Sequence, residues 1–146
     1  AEVVAKYGAG VIVMHNKDEK VYQDLMGDIL KFLGRSVEIA EKAGINRSNI
    51  VIDPGIGFGK THEHNLEAIR RLNELKILNL PILLGTSRKS VIGNVLGLPV
   101  NERVEGTAAT VAIGIANGAD IVRVHDVKEM KRVAMMADAI IRGDTL

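Results

Sequence analysis

The sequence predicts an α/β fold built from consecutive parallel βα units. Three observations carry this. Four short apolar runs recur: Val11-Ile12-Val13-Met14, Ile50-Val51-Ile52, Ile82-Leu83-Leu84 and Ile121-Val122-Arg123-Val124. Most are continuous rather than alternating, as strands covered on both faces of a parallel sheet are. Amphipathic helical stripes fill the gaps between them. The strand ends, near His15, Asp53, Gly85 and His125, recur at roughly 30–40 residues, the length of a βα unit.

The opening, AEVVAKYGAG, reads as the last turns of a helix whose beginning lies outside the sequence, so a truncated or processed chain is expected. The first strand follows. Leu25, Ile29, Leu33, Val37 and Ala40 then make one stripe of an amphipathic helix, with Gly44 placed for its C-cap. After the second strand, Leu66, Ile69, Leu72 and Leu75 form the next stripe, with Glu63 and Glu67 near its start. The third strand leads into a glycine- and proline-containing stretch, Val91 to Val100, expected to be a longer loop. Val104, Ala108, Val111 and Ile115 then give a third helix ending at Gly118. Val127, Met130, Val133, Ala137 and Ile141 give a fourth, ending at Gly143.

Residues 1–146 read as a single domain without linker, low-complexity tract or repeat. Two architectures fit. A doubly wound open sheet can be built from a chain this short. A (β/α)8 TIM barrel takes ~250 residues and eight units, so here it would be half outside the sequence or completed by another chain.

Composition narrows the functional classes. The chain is 47% hydrophobic and 25% charged, within the globular range. Nineteen basic against 18 acidic residues leave a net charge of +1, which gives no footprint for nucleic acid or an anionic membrane. Without cysteine there is no disulfide, zinc-thiolate site or thiol nucleophile. Aromatic residues are 3%, with no Trp to stack on bases. No apolar run approaches the ~20 residues of a membrane span, and no leader pattern opens the chain. The expected location is the cytoplasm.

Polar residues gather where the strands end, the place where parallel α/β folds build their sites. These are Met14-His15-Asn16, the loop Asp53 to Thr61, Gly85-Thr86-Ser87-Arg88-Lys89-Ser90, and Arg123-Val124-His125-Asp126. Asp53 either caps the next helix or is a buried acceptor for the paired N–H groups of a guanidine-like ligand edge. Gly55, Gly57 and Gly59 call for positive φ or close backbone approach. Gly59-Lys60-Thr61 misses the phosphate-binding P-loop by one residue, and Gly55 to Gly59 is not a dinucleotide fingerprint. Phe58 either packs back on the core or faces a ligand.

Ser87, Arg88, Lys89 and Ser90 form the densest donor cluster. They read either as a solvated, capping turn or, with Arg123 and His125 on one face of the next strand, as groups suited to a diphosphate. His62 and His64 do not converge as a metal pair. Met135 and Met136 read as helix packing, and Arg142-Gly143-Asp144 as a chance tripeptide.

Together the stretches VIVMHN (11–16), IDPGIGFGKT (52–61), LLGTSRKSVIG (83–93), ERVEGTAATVAIGIANGADI (102–121) and IVRVHDV (121–127) resemble the dihydropteroate synthases of folate biosynthesis. The likeness covers essentially the whole chain. It implies a (β/α)8 barrel of which these residues supply about the last four βα units. It implies condensation of 6-hydroxymethyl-7,8-dihydropterin diphosphate with p-aminobenzoate, with release of diphosphate and with Mg²⁺. By this resemblance Asp53 would bind the pterin N–H edge and Met14 would line the pterin pocket. Lys89 would contact the pterin near p-aminobenzoate, and Phe58 and Ser90 would border the p-aminobenzoate site. Arg123 would stack on the pterin and, with His125 and Ser87, hold the diphosphate; Gly85 and Arg88 belong to the same substrate-binding group. Lys89, Arg123 and Asp53 would be the catalytic set. The Mg²⁺ ligand would lie in the half of the barrel outside this chain.

Two alternatives stand beside this reading: a half-barrel that binds pterin or diphosphate without turnover, and the pterin-binding domain of a corrinoid methyltransferase. The SRKS loop favours the synthase over the second. An exposed sheet edge at the first or fourth strand would invite self-association, so a homodimer is expected.

Overall fold

A computed structural model describes residues 1–143. Asp144, and with it the end of the Arg-Gly-Asp tripeptide, lies outside the described residues. The elements run α1 (Glu2–Tyr7), β1 (Val11–Met14), α2 (Leu25–Lys42), β2 (Ile50–Asp53), α3 (His62–Arg70), β3 (Leu83–Leu84), α4 (Ser90–Leu96), α5 (Val104–Ala116), β4 (Ile121–Val122) and α6 (Val127–Ile141). Short 3₁₀ turns cover Arg47–Asn49, Leu72–Leu78 and Val100–Glu102.

All strand pairings are parallel. β1 pairs with β2 from Val11↔Ile50 to Met14↔Asp53. β3 pairs with β4 over Leu83↔Ile121 and Leu84↔Val122. A single bridge, Ile52↔Ile82, joins the two pairs, with the Ile52 amide donating to the Pro81 carbonyl at 2.9 Å. The order is therefore β1-β2-β3-β4, with β1 and β4 unpaired on their outer edges among the described residues. Past the β4 ladder the strand bonding continues, since the Arg123 amide donates to Leu84 O at 3.0 Å.

Helix α2 shows why these elements form. Asp24 caps it by accepting from the Gly27 amide at 3.1 Å. Its stripe, Leu25, Ile29, Leu33, Val37 and Ala40, is buried throughout, against a core that includes Ile50 and Ile52 of β2. Full burial of each such large side chain contributes about 1.5–3 kcal/mol. A smaller cluster joins Val111 and Ile115 of α5 to Met130 and Ala137 of α6, with Val122 of β4 packed against it. No helix among the described residues is long and apolar enough to cross a membrane.

Three expectations are corrected. Met135 and Met136, read as helix packing, are both exposed on α6. The stretch from Val91 is not a loop: Ser90–Leu96 is helix α4, burying Val91 and Ile92. Gly93 is not a breaker there. A Cβ at Gly93 would stand 2.2 Å from Arg103 Nη2, so the missing side chain is the space the guanidinium occupies. Gly97, at φ 68°, is the left-handed cap that ends the helix. The second stripe also divides: Leu66 and Ile69 lie in α3, whereas Leu72 and Leu75 are buried from the following 3₁₀ turn.

Candidate functional site

All four strands deliver their carboxyl ends to one side of the sheet. The residues after β3 and β4 enclose an open cavity of about 310 Å³, lined by Gly85, Ser87, Lys89, Arg123, Val124 and His125, and Asp53 at the end of β2 adjoins it through Arg123. Five of these six were singled out from the sequence. Arg123 and His125 are both exposed while Val122 and Val124 beside them are half-buried, the alternation expected of an extended segment.

Asp53 ends β2 and is buried. It does not cap a helix. Its Oδ1 accepts from the Gly55 amide at 2.7 Å and its Oδ2 from Arg123 Nη2 at 3.2 Å. Its carboxylate thus lies beneath an arginine whose side chain stays 54% exposed. The Arg123 guanidinium lies over Gly85, where a Cβ would come within 3.0 Å of Nη2.

Side chains hold several backbone groups of the loop after β2. Asn65 Oδ1 accepts from the Gly57 amide at 2.7 Å. Lys89 Nζ donates to the Ile56 carbonyl, and the Tyr22 hydroxyl donates to the Gly59 carbonyl. Lys60 Nζ donates to Gly55 O and Phe58 O, both at 3.1 Å, and to His15 Nδ1 at 2.8 Å. Phe58 does not fold back on the core: it is 40% exposed, with Lys89 Nζ 4.8 Å from its ring centroid. Met14 is half-buried at the end of β1, its Cγ 3.3 Å from where a Cβ on Gly55 would stand.

Around β3 and β4, Ser87 Oγ and His125 Nδ1 lie 2.8 Å apart, and the His125 amide donates back to Ser87 Oγ at 3.1 Å. Arg88 sits in the left-handed region at φ 57°, which a non-glycine residue adopts only when held. The holding is visible. Its guanidinium donates to both oxygens of Asp126 at 3.0 and 2.5 Å, its amide donates to Thr107 Oγ1 at 3.1 Å, and its carbonyl accepts from Arg103 Nη1 at 2.9 Å. Asp126 precedes α6 but makes no side-chain cap, because both its oxygens face Arg88. This pairing lowers the Asp126 pKa and raises that of Arg88. Ser90 is exposed at the first residue of α4. His64 is spent on the capping box of α3 with Thr61.

Burial sets the protonation of the inner groups. It pulls Lys89 below its ordinary value, opposed by the charge of Asp53. Burial pushes Lys60 down to about 8, again with Asp53 opposing. Burial, then the Lys60 charge, lowers His15 to about 4. His15 is therefore neutral, with Nδ1 free to accept from Lys60.

A pH dependence follows. The unfolded chain takes up a proton at His15 near pH 6.5, and the folded protein only near 4. Between those values the unfolded state binds more protons, so stability is complete above 6.5 and is lost as pH falls towards 4. The loss from this group is at most about 3 kcal/mol. His15→Asn keeps an acceptor near the Nδ1 position and does not titrate. Thermal midpoints followed from pH 7 to 4 should fall more steeply in the wild type than in this variant; parallel curves would contradict a buried neutral His15.

Lys60, Asn65, Arg103 and Asp126 brace the site, though the sequence assigns none of them a role in it. Lys60 was conspicuous only as a near-match to a phosphate loop, and it points inward. Arg103 carries no local signal, and Asp126, though one of the strand-end polar residues, gives no sign of its partner Arg88, which is remote in sequence. Among the described residues no group of three or more His, Asp or Glu side chains is placed to hold a metal ion.

Residues 1–125 match the family model described as "Pterin binding enzyme". The dihydropteroate synthase of Clostridium beijerinckii is 56% identical over 97% of this chain and 53% of that protein. The Bacillus subtilis dihydropteroate synthase is 50% identical over 97% of this chain and 50% of its own length. The chain thus spans about half the length of the curated relatives it matches. Among solved structures, dihydropteroate synthase from Clostridium difficile in the presence of pteroic acid superposes with a TM-score of 0.95 at 54% identity, covering 97% of this chain and 54% of that one. The Yersinia pestis dihydropteroate synthase in complex with a sulfonamide drug gives 0.94 at 38% identity, over 98% of this chain and 55% of that one.

Proposed function

We propose a function from one premise: the chain belongs to the pterin binding enzyme family. It supplies the last four βα units of a (β/α)8 barrel, and the whole protein is a dihydropteroate synthase. That enzyme joins 6-hydroxymethyl-7,8-dihydropterin diphosphate to p-aminobenzoate. The carbon–oxygen bond to diphosphate breaks, the arylamine nitrogen takes the carbon, and a proton leaves the amine. The dihydropteroate synthase relatives at 56% and 50% identity speak against a corrinoid methyltransferase.

The observation that carries the reading is the arrangement around Asp53. A buried carboxylate suits the N–H edge of a pterin. Arg123 and Lys89, with the Ser87–His125 pair, surround the adjoining cavity with cations and polar side chains. None is an activated nucleophile. Such a set stabilises charge that develops on a departing diphosphate, and it asks for little proton transfer. Phe58 and Ser90 stand at the loop and helix start where the arylamine would enter. Arg88 serves through its brace to Asp126, which fixes the turn carrying Ser87 and Lys89.

Magnesium belongs to the same reading. The described residues make no metal cluster of their own, and Asp53 is already engaged by Arg123 and Gly55. By the family resemblance the ion's ligands are assigned to the part of the barrel outside this chain, and none of the roles above passes through it. The whole enzyme is proposed to work in the cytoplasm as a homodimer and to bind sulfonamides in place of the arylamine.

Calorimetric titration of the 146-residue chain with the dihydropterin diphosphate, with and without Mg²⁺, tests the pocket. Saturable binding that weakens at least about tenfold in Asp53→Ala, the scale of a lost charged hydrogen bond, places the pterin on Asp53. Equal binding by wild type and variant removes it from there. If the isolated chain binds nothing, the pocket needs the other strands, and the full-length protein decides the function: failure to form dihydropteroate would overturn it.

A further inference from the structure

Lys60 is buried, and the chemistry above gives it no part. An ammonium has three donors, and here all three are used: on His15 Nδ1, Gly55 O and Phe58 O. None remains for a ligand. The acceptors come from two separate places, the residue after β1 and both sides of the turn after β2. The turn itself closes with the Phe58 amide donating to Gly55 O at 3.0 Å. Between these two anchored carbonyls lies Ile56, whose own carbonyl accepts from Lys89. The Phe58 ring also flanks the Lys89 ammonium. One lysine thus holds the turn that seats the other.

We propose that Lys60 is a positioning residue: anchored on His15, it fixes the Gly55–Phe58 turn so that the Ile56 carbonyl and the Phe58 ring seat the Lys89 ammonium at the edge of the cavity. This rests on the reading of that cavity as the pterin and aminobenzoate site. It explains why a desolvated cation is kept where an apolar side chain would pack. A methionine of similar length would leave the Phe58 carbonyl and the His15 nitrogen without a donor, and the Gly55 carbonyl with the Phe58 amide alone.

Two readouts separate this role from general stability. The first is amide hydrogen exchange in the 146-residue chain. Lys60→Met should lower protection of the Phe58 amide about tenfold more than that of the Ile52 amide, which reports opening of the sheet. His15→Leu should do the same, whereas His15→Asn, which keeps an acceptor, should stay within about twofold of wild type. The His15 pair carries the test if Lys60→Met does not fold. Protection falling equally at Phe58 and Ile52, or unchanged at Phe58, would overturn the proposal. The second readout uses the full-length enzyme. Lys60→Met should lower kcat/KM for p-aminobenzoate about tenfold at unchanged folded fraction, with His15→Asn near wild type. An unchanged kcat/KM also overturns it. A wild-type protein with no turnover would refute the proposed function, while the exchange data would still judge Lys60.

Discussion

Lys89→Ala and Arg123→Ala, each made in the intact barrel, are expected to lower kcat by about 10²–10³-fold, the scale of losing one preorganised donor from a site where negative charge develops, ~2.7–4 kcal/mol. The two cations share one buried carboxylate. Asp53 accepts from Arg123 directly, and its charge opposes the burial that lowers the Lys89 pKa. With two positive groups against one negative, the rim keeps an excess of positive charge facing a cavity also lined by Ser87 and His125. A leaving diphosphate gains charge as its bond to carbon breaks, so the attraction grows along the reaction. The kinetic signature should be a fall of kcat and kcat/KM together, with KM nearly constant. A rise in KM alone would assign these groups to ground-state binding. Unchanged turnover in both variants would break the assignment of this end of the sheet as the reacting site.

The strands were legible because their signal is local. Continuous apolar runs such as Ile50-Val51-Ile52 end abruptly in polar residues, and that boundary marks both the strand and the site. Helix α2 was legible for the same reason: its stripe from Leu25 to Ala40 is buried as the spacing required. Helix α4 was not, because the meaning of Gly93 lies in Arg103, which fills the space a side chain would take. The gathering of Gly85, Ser87, Lys89, Arg123 and His125 at one cavity followed from strand-end logic, since parallel strands carry their carboxyl ends to one side whatever the loops do. What each side chain does there was less legible. Arg88 belongs to the densest donor cluster, yet its guanidinium is taken by Asp126. Lys60 stood out only in a failed match to a phosphate loop, and its partner, His15, is reached only because β1 and β2 are neighbours. Spacing along the chain reports which residues share an element; it does not report which charges will find each other across elements.

Gly55→Ala is expected to be strongly destabilising, costing more than about 3 kcal/mol. Two costs add there. The residue stands at φ 70°, in the left-handed region, where a side chain costs about 1–2 kcal/mol. A Cβ would also lie 1.9 Å from the His15 carbonyl oxygen and 3.1 Å from its carbon. Those are backbone atoms, and the His15 amide is itself tied to Asp53 O at 3.0 Å, so the ends of β1 and β2 would have to part. Two other glycines separate the terms. Gly44 has φ 93° with nothing within 4 Å of its Cβ position, so Gly44→Ala reports the conformational cost alone. Gly57 has φ 85°, and its Cβ would meet only the Lys89 stem at 3.3 Å. Gly57→Ala should therefore cost little beyond Gly44→Ala, while nudging Lys89 at the cavity edge. Urea midpoints of the three variants measure this directly. The difference between Gly55→Ala and Gly44→Ala is the contribution of close backbone approach where β1 meets the loop after β2. A difference near zero would mean that His15 and Gly55 do not touch, and the anchoring of that loop on the end of β1 would fall with it.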